Sequence, residues 1–116
     1  ATYSIIVPAY KEAGNLDALN RRVFAAVEKN GFAKGTVELI VVDDNSRDGS
    51  VEVIEKLKGE GYNCQILVRT KERGLSSAVI HGFKNAKGKY FLVMDADLQH
   101  PPESVPQLLK AFENQK

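Results

Sequence analysis

Four short apolar runs alternate along this chain with stretches of helical periodicity, and that alternation constrains the fold more than any other feature. Residues 3–8, 37–42, 65–68 and 90–94 are brief and rich in β-branched or aromatic side chains, which suits strands rather than helices. Elsewhere the apolar positions recur at offsets of three and four. Leu16, Leu19, Val23 and Val27 form one stripe, Leu75, Ala78, Val79, Gly82, Phe83 and Ala86 another, and Val105, Leu108, Leu109 and Phe112 a third. The first of these helices is predicted from Asn15 to a stop at Asn30-Gly31. A further helix is predicted over residues 51–58, capped by Ser50 at the end of the turn cluster Asp43-Asp44-Asn45-Ser46-Arg47-Asp48-Gly49-Ser50. The last helix opens on Pro101-Pro102-Glu103, where a first turn tolerates proline.

Strands that are apolar on both faces, each followed by a helix, predict an α/β fold with a parallel sheet covered on both sides. Gly82 within its apolar stripe predicts close packing of that helix on the sheet. No repeat, linker or low-complexity tract interrupts the pattern, so residues 1–116 are expected to form one domain. With 43% hydrophobic residues the chain can bury a core of that size. The net charge of +1 is dispersed, which argues against nucleic acid as a partner. Cys64 is the sole cysteine and reads as a buried thiol. With no apolar stretch near the roughly 20 residues that span a bilayer and no signal-like leader, the chain is expected to be soluble as it stands.

Parallel sheets of this kind bind ligands at the carboxyl ends of their strands, and the polar clusters of this sequence fall there. Pro8-Ala9-Tyr10-Lys11-Glu12 follows the first strand, Asp43-Asp44-Asn45-Ser46 the second, and Asp95-Ala96-Asp97-Leu98-Gln99-His100 the fourth. On an extended backbone Asp95, Asp97 and Gln99 point the same way, giving an oxygen-only donor set that suits Mg²⁺ or Mn²⁺. Zinc is disfavoured, since His81 and His100 lie on different elements and no second thiolate exists. The same acids also fit a purely structural use at the start of the last helix. Asp43 reads equally as a turn former or a ligand, and Asp44 is the better ligand contact. Tyr10 is either a rim aromatic or a stacking partner for a base or ribose, Glu12 a first-turn helix acid or a ligand contact, and His81 a surface histidine. Arg69, Lys71 and Arg73 beside Gly74-Leu75-Ser76-Ser77 either attract phosphate or form a solvated loop. Neither a G-x-G-x-x-G after the first strand nor a Walker-type loop is present.

Four segments carry a resemblance. They are Val7-Pro8-Ala9-Tyr10-Lys11-Glu12 with Asn15-Leu16; residues 41–49; residues 74–79 with His81-Gly82-Phe83-Lys84; and residues 94–103. Together they resemble the inverting GT-A glycosyltransferases of family 2, and within them the dolichyl-phosphate (polyprenyl-phosphate) mannose synthases, with the archaeal type as the expected nearest match. The resemblance implies the Rossmann-like nucleotide-binding half of a GT-A fold, with strand order 3-2-1-4. It implies that Pro8, Tyr10 and Glu12 line a nucleotide pocket, that Val42 and Asp44 meet base and ribose, and that Asp95, Ala96 and Asp97 meet the sugar diphosphate. Asp97 and Gln99 would hold Mg²⁺ or Mn²⁺, and Asp95 and Asp97 would serve catalysis. Lys11 stands where the family often has asparagine.

The activity implied is inverting transfer of mannose from GDP-mannose to a dolichyl or polyprenyl phosphate, on the cytoplasmic side of a membrane with which the full-length family associates. Further strands, an acceptor loop and basic residues are implied beyond the equivalent of Lys116. Strand four would then be an open edge, and self-association through it is expected. Three alternatives remain open at this stage: a UDP-sugar-dependent polyprenyl-phosphate transferase, a truncated or engineered module that binds nucleotide without turnover, and a phosphoacceptor signalling domain. The last fits poorly because the acid pair follows strand two rather than strand one.

Overall fold

A computed structural model describes residues 2–33, 35–70, 75–98 and 101–113, with the side chains at 75, 76, 112 and 113 outside the described set. The elements run β1 (Tyr3–Ala9), α1 (Ala13–Lys29), β2 (Val37–Asp43), α2 (Ser50–Gly59), β3 (Cys64–Val68), α3 (Leu75–Asn85), β4 (Tyr90–Val93), a 3-10 turn (Pro102–Ser104) and α4 (Val105–Glu113). All strand pairs are parallel, in the order β3-β2-β1-β4. The chain thus steps outward from β1 to β3 and then returns to the far side of β1.

That reversal decides which helix covers which face, because right-handed crossovers running in opposite directions place their helices on opposite faces. On one face Leu16, Leu19, Val23 and Val27 of α1, Ile54 and Leu57 of α2, and Val105 and Leu109 of α4 bury against Tyr3, Ile5, Val7, Leu39 and Val41. On the other, α3 sets Ala78 against Ile6, Ile40 and Val42. Each fully buried Leu, Ile or Val of these layers contributes about 1.5–3 kcal/mol. The close approach expected at Gly82 is present: a Cβ there would lie 2.5 Å from Ile6 Cγ2.

Glu38, the one charge within an apolar run, is buried at 6% exposure. Its Oε2 accepts from the Ser4 hydroxyl at 2.6 Å and from the Lys87 and Gly88 N–H groups at 2.7 and 3.0 Å. A carboxylate in the sheet thereby pins the turn that leads into β4. Pro8 costs the ladder nothing, since it shares the parity of Ile6, which faces β4, and sits beyond the last β1–β4 pair, Ile6–Val93. Cys64 is buried, and desolvation pushes its thiol up to about 11.

Two local expectations need correction. α1 begins at Ala13 rather than Asn15. Ser50 is the first residue of α2 rather than its cap, because Gly49 before it takes φ 93° and the cap is supplied by Asp48, whose Oδ1 accepts from the Ser50 N–H at 3.2 Å and hydroxyl at 2.6 Å.

Candidate nucleotide-sugar site

The three polar clusters converge on one edge of the sheet. β1 lies between β2 and β4, so the loops that leave their carboxyl ends are neighbours. The loops after β1 and β4 flank the point where the strand order reverses, which is where open parallel sheets form a ligand crevice. Backbone strain collects there too. Among the described residues, the non-glycine positions with positive φ are Lys11 (57°), Asn45 (59°), Arg47 (55°) and Leu98 (64°). Each lies in one of these three loops, a concentration typical of ligand-binding surfaces.

Hydrogen bonds lace the first two loops together. Asp43 is 2% exposed and is consumed internally: its Oδ2 accepts from the Ser46 N–H at 2.9 Å and its Oδ1 from the Ser46 hydroxyl at 2.5 Å. Ser46 Oγ in turn accepts from the Lys11 N–H at 2.6 Å. Of the two readings of Asp43, turn former is the one that holds. Asp48 Oδ2 reaches across to accept from the Ala13 N–H at 3.2 Å, so one side chain serves the starts of both α1 and α2. These hydrogen bonds hold its carboxyl below the usual range, that of the Ser50 hydroxyl first.

Asp44 is anchored differently. Its N–H donates to Ala9 O at 3.1 Å, while its carboxylate meets a buried guanidinium. Arg69 is 6% exposed, donates from Nε to Asp44 Oδ1 at 2.7 Å, and places Nη2 2.6 Å from the same oxygen. Arg69 Nη1 also donates to Ser77 Oγ on α3 at 2.8 Å. Arg69 is therefore no part of a solvated loop. In the sequence Arg69 is one of three basic residues, and its place directly after β3 is the signal that sets it apart.

The remaining predicted residues divide by exposure. Tyr10 is 45% exposed, with Lys11 Nζ 5.4 Å from its ring centre. Pro8 and Glu12 are half-buried, and Glu12 Oε2 accepts from Asn15 Nδ2 at 2.7 Å. Val42 is fully buried, its side chain packed with Ile6 and Ile40 and with Ala78 of α3 into the floor of the site. His81 is half-buried on α3.

Asp95 and Asp97 are exposed on either side of the buried Ala96. The extended backbone does not continue through them, because β4 stops at Val93 and the chain turns at Ala96-Asp97. Gln99 cannot therefore be placed by strand alternation, and with His100, Lys71 and Arg73 it lies outside the described residues. Among the described residues no three His, Cys, Asp or Glu side chains gather into a cation cluster. Two exposed carboxylates still fit Mg²⁺ or Mn²⁺, which bind through one or two carboxylates and keep places for water and phosphate. A cavity of about 270 Å³, lined in part by Phe24, Phe32 and Tyr62, lies at the opposite edge of the sheet.

The family model for glycosyl transferase family 2 matches residues 4–116. The chain belongs to that family. It is 58% identical over 110 residues to the dolichol-phosphate mannosyltransferase of Saccharomyces cerevisiae, covering 95% of this chain and 40% of the yeast protein. The dolichol-phosphate mannosyltransferase of Pyrococcus furiosus is 47% identical over 111 residues, covering 96% of this chain and 30% of that protein. Similarity thus runs higher toward the yeast relative than toward this archaeal one, against the expectation of an archaeal type. The chain spans less than half the length of either. The structure of S. aureus TarS 1-349 in complex with UDP-GlcNAc superposes with a TM-score of 0.75 at 25% identity, covering 98% of this chain and 31% of that 1-349 chain. The parallel sheet in the order 3-2-1-4 is that of GT-A glycosyltransferases.

Proposed function

We propose that this family 2 chain supplies the nucleotide-sugar- and metal-binding part of an enzyme that transfers mannose from GDP-mannose to dolichyl or another polyprenyl phosphate, with inversion. One observation carries the reading: three strained polar loops meet at the reversal point of the sheet in a chain 58% identical to a dolichol-phosphate mannosyltransferase. Residues 1–116 form a single unit of that enzyme. It works at the cytoplasmic side of the membrane, although among the described residues no helix is long and apolar enough to cross one. Copies of the chain associate through the β4 edge.

In this reading Tyr10 stacks on the nucleoside, Pro8 and Glu12 border it, and Val42 and Asp44 meet base and ribose at the end of β2, Asp44 as a hydrogen-bond acceptor. Asp95, Ala96 and Asp97 meet the sugar diphosphate, and Asp97 with Gln99 would hold Mg²⁺ or Mn²⁺. When bound, such an ion neutralises negative charge on the diphosphate. An oxygen of the lipid phosphate attacks the anomeric carbon, the new C–O bond forms on the face opposite the breaking one, and GDP departs with the electron pair. No residue need act as general base, because the phosphate nucleophile is already ionised at neutral pH.

Calorimetric titration with GDP, UDP and GDP-mannose, each with and without Mn²⁺, tests this. GDP and GDP-mannose should bind tighter than UDP, and Asp97→Ala should abolish the Mn²⁺ dependence. Preference for UDP would move the donor to a UDP-sugar, while equal, metal-independent heats for all three would overturn the reading. Heats without mannosyl-lipid product from dolichyl phosphate would assign binding alone to these residues.

A further inference from the structure

We infer that Arg69 is a positioning residue for nucleoside recognition, holding Asp44 in place and held in turn by Ser77; this rests on the nucleotide-sugar reading of the site. Asp44 comes immediately after β2, at the edge where the loops converge, and its side chain keeps 15% exposure while that of Arg69 keeps 4%. Two guanidinium nitrogens converge on one carboxylate oxygen, at 2.7 and 2.6 Å. The third reaches Ser77 Oγ at 2.8 Å. The arginine backbone is fixed as well, since its N–H donates to Asp43 O at 2.8 Å. Carboxylate, guanidinium and hydroxyl therefore form one line from β2 through the end of β3 to the first turn of α3.

Stability alone is a weak reason for this arrangement. A buried ion pair is often matched or surpassed by well-packed apolar side chains of similar volume. What the pair does supply is a carboxylate of fixed orientation and neutralised charge, at a site proposed to receive a diphosphate. An unneutralised carboxylate would repel that ligand. A neutralised one remains an acceptor for neutral donors, namely ribose hydroxyls and the N–H groups of a base. Arginine is required for its fork: lysine carries the same charge but not donors in two fixed directions at once. Ser77 is the second constraint, because it fixes the rotation of the guanidinium about its own bond to Asp44.

The experiment compares GDP with inorganic diphosphate as ligands of the chain, both with Mn²⁺ present, for wild type, Arg69→Lys, Ser77→Ala, Asp44→Asn and the Arg69→Lys/Asp44→Asn double variant. Folding of each is checked by circular dichroism and thermal melting. Arg69→Lys is expected to weaken GDP about tenfold, the size of one lost hydrogen bond to a charged group, with Ser77→Ala a smaller loss in the same direction. Inorganic diphosphate should bind all variants alike, since it does not reach the nucleoside pocket. In the Asp44→Asn background the lysine substitution should add little, as expected when one residue acts through the other. Equal loss for GDP and inorganic diphosphate, or additive loss in the double variant, would make Arg69 merely structural and overturn the inference. Wild-type chain that binds neither ligand would overturn the functional reading, and this inference with it, whereas wild-type binding with an unaffected Arg69→Lys overturns the inference alone.

Discussion

At the scale of single residues, Lys11 shows how the site imposes a conformation that its sequence does not favour. Its φ of 57° is left-handed, a region that costs an ordinary L-residue roughly 1–2 kcal/mol and that asparagine visits more readily. The position is fixed because the Lys11 N–H must meet Ser46 Oγ, itself locked to Asp43. That supplies a physical reason for the asparagine that the resemblance implies at this position. Lys11→Asn keeps the N–H and relieves the backbone, so it should raise stability by about 0.5–1 kcal/mol. Denaturant unfolding of the two proteins measures this directly. Lower stability in the variant would mean that the Lys11 ammonium near the Tyr10 ring, 5.4 Å from its centre, matters more than the backbone strain.

At the scale of elements, Asp48 links the starts of two helices that share no other cap side chain: neither Glu12 before α1 nor Gly49 before α2 makes a side-chain cap bond. Removing a helix cap typically costs about 1 kcal/mol, and Asp48→Ala removes two at once, so a loss of roughly 1–2 kcal/mol is expected at neutral pH. The pH dependence has a definite sign. The folded carboxyl lies below its usual 3.8, so its contribution is complete above that value and is lost as the pH falls through the lower folded value. The stability gap between wild type and Asp48→Ala should therefore close below pH 3.8, as read from urea midpoints across an acid series. A gap that stays constant into acid would exclude the carboxylate as the cap.

The same residue shows which parts of the fold were legible from sequence. Strands and helices could be read because burial repeats at period 2 or 3.6 within each segment. The start of α1 could not, because its cap comes from a side chain 35 positions away. Glu38 likewise is only a charge in an apolar run until the turn at Lys87 and Gly88, about 50 positions on, closes over it. The acids after β4 stand out by their spacing, yet the turn at Ala96-Asp97 breaks the alternation that would align Gln99 with them. Arg69 escaped because its meaning depends on Asp44 and Ser77, on two other elements.

For the molecule as a whole, the consequence of the order β3-β2-β1-β4 is that β4 pairs with β1 on one side only among the described strands. In a parallel strand the N–H and C=O of one residue face the same neighbour, and those of the next face the other. Met94 N–H donates to Ile6 O, so even-numbered residues of β4 face β1 and the backbone groups of Phe91 and Val93 face outward. These two residues are 38% and 42% exposed, the Phe83 ring of α3, itself 39% exposed, lies 4.9 Å from that of Phe91 centre to centre, and Ile80 of the same helix is 52% exposed. An apolar strand edge of this kind is a template for pairing with another chain. The expected outcome is a light-scattering mass that climbs from monomer toward dimer as concentration rises. Val93→Pro discriminates the edge from simple apolar stickiness, because it deletes one outward N–H while leaving every bond between β4 and β1 intact. The variant should stay monomeric at concentrations where the parent associates, with the same melting temperature when dilute. A parent chain that remains monomeric at high concentration, or a Val93→Pro variant that associates equally well, would remove the β4 edge as the point of contact.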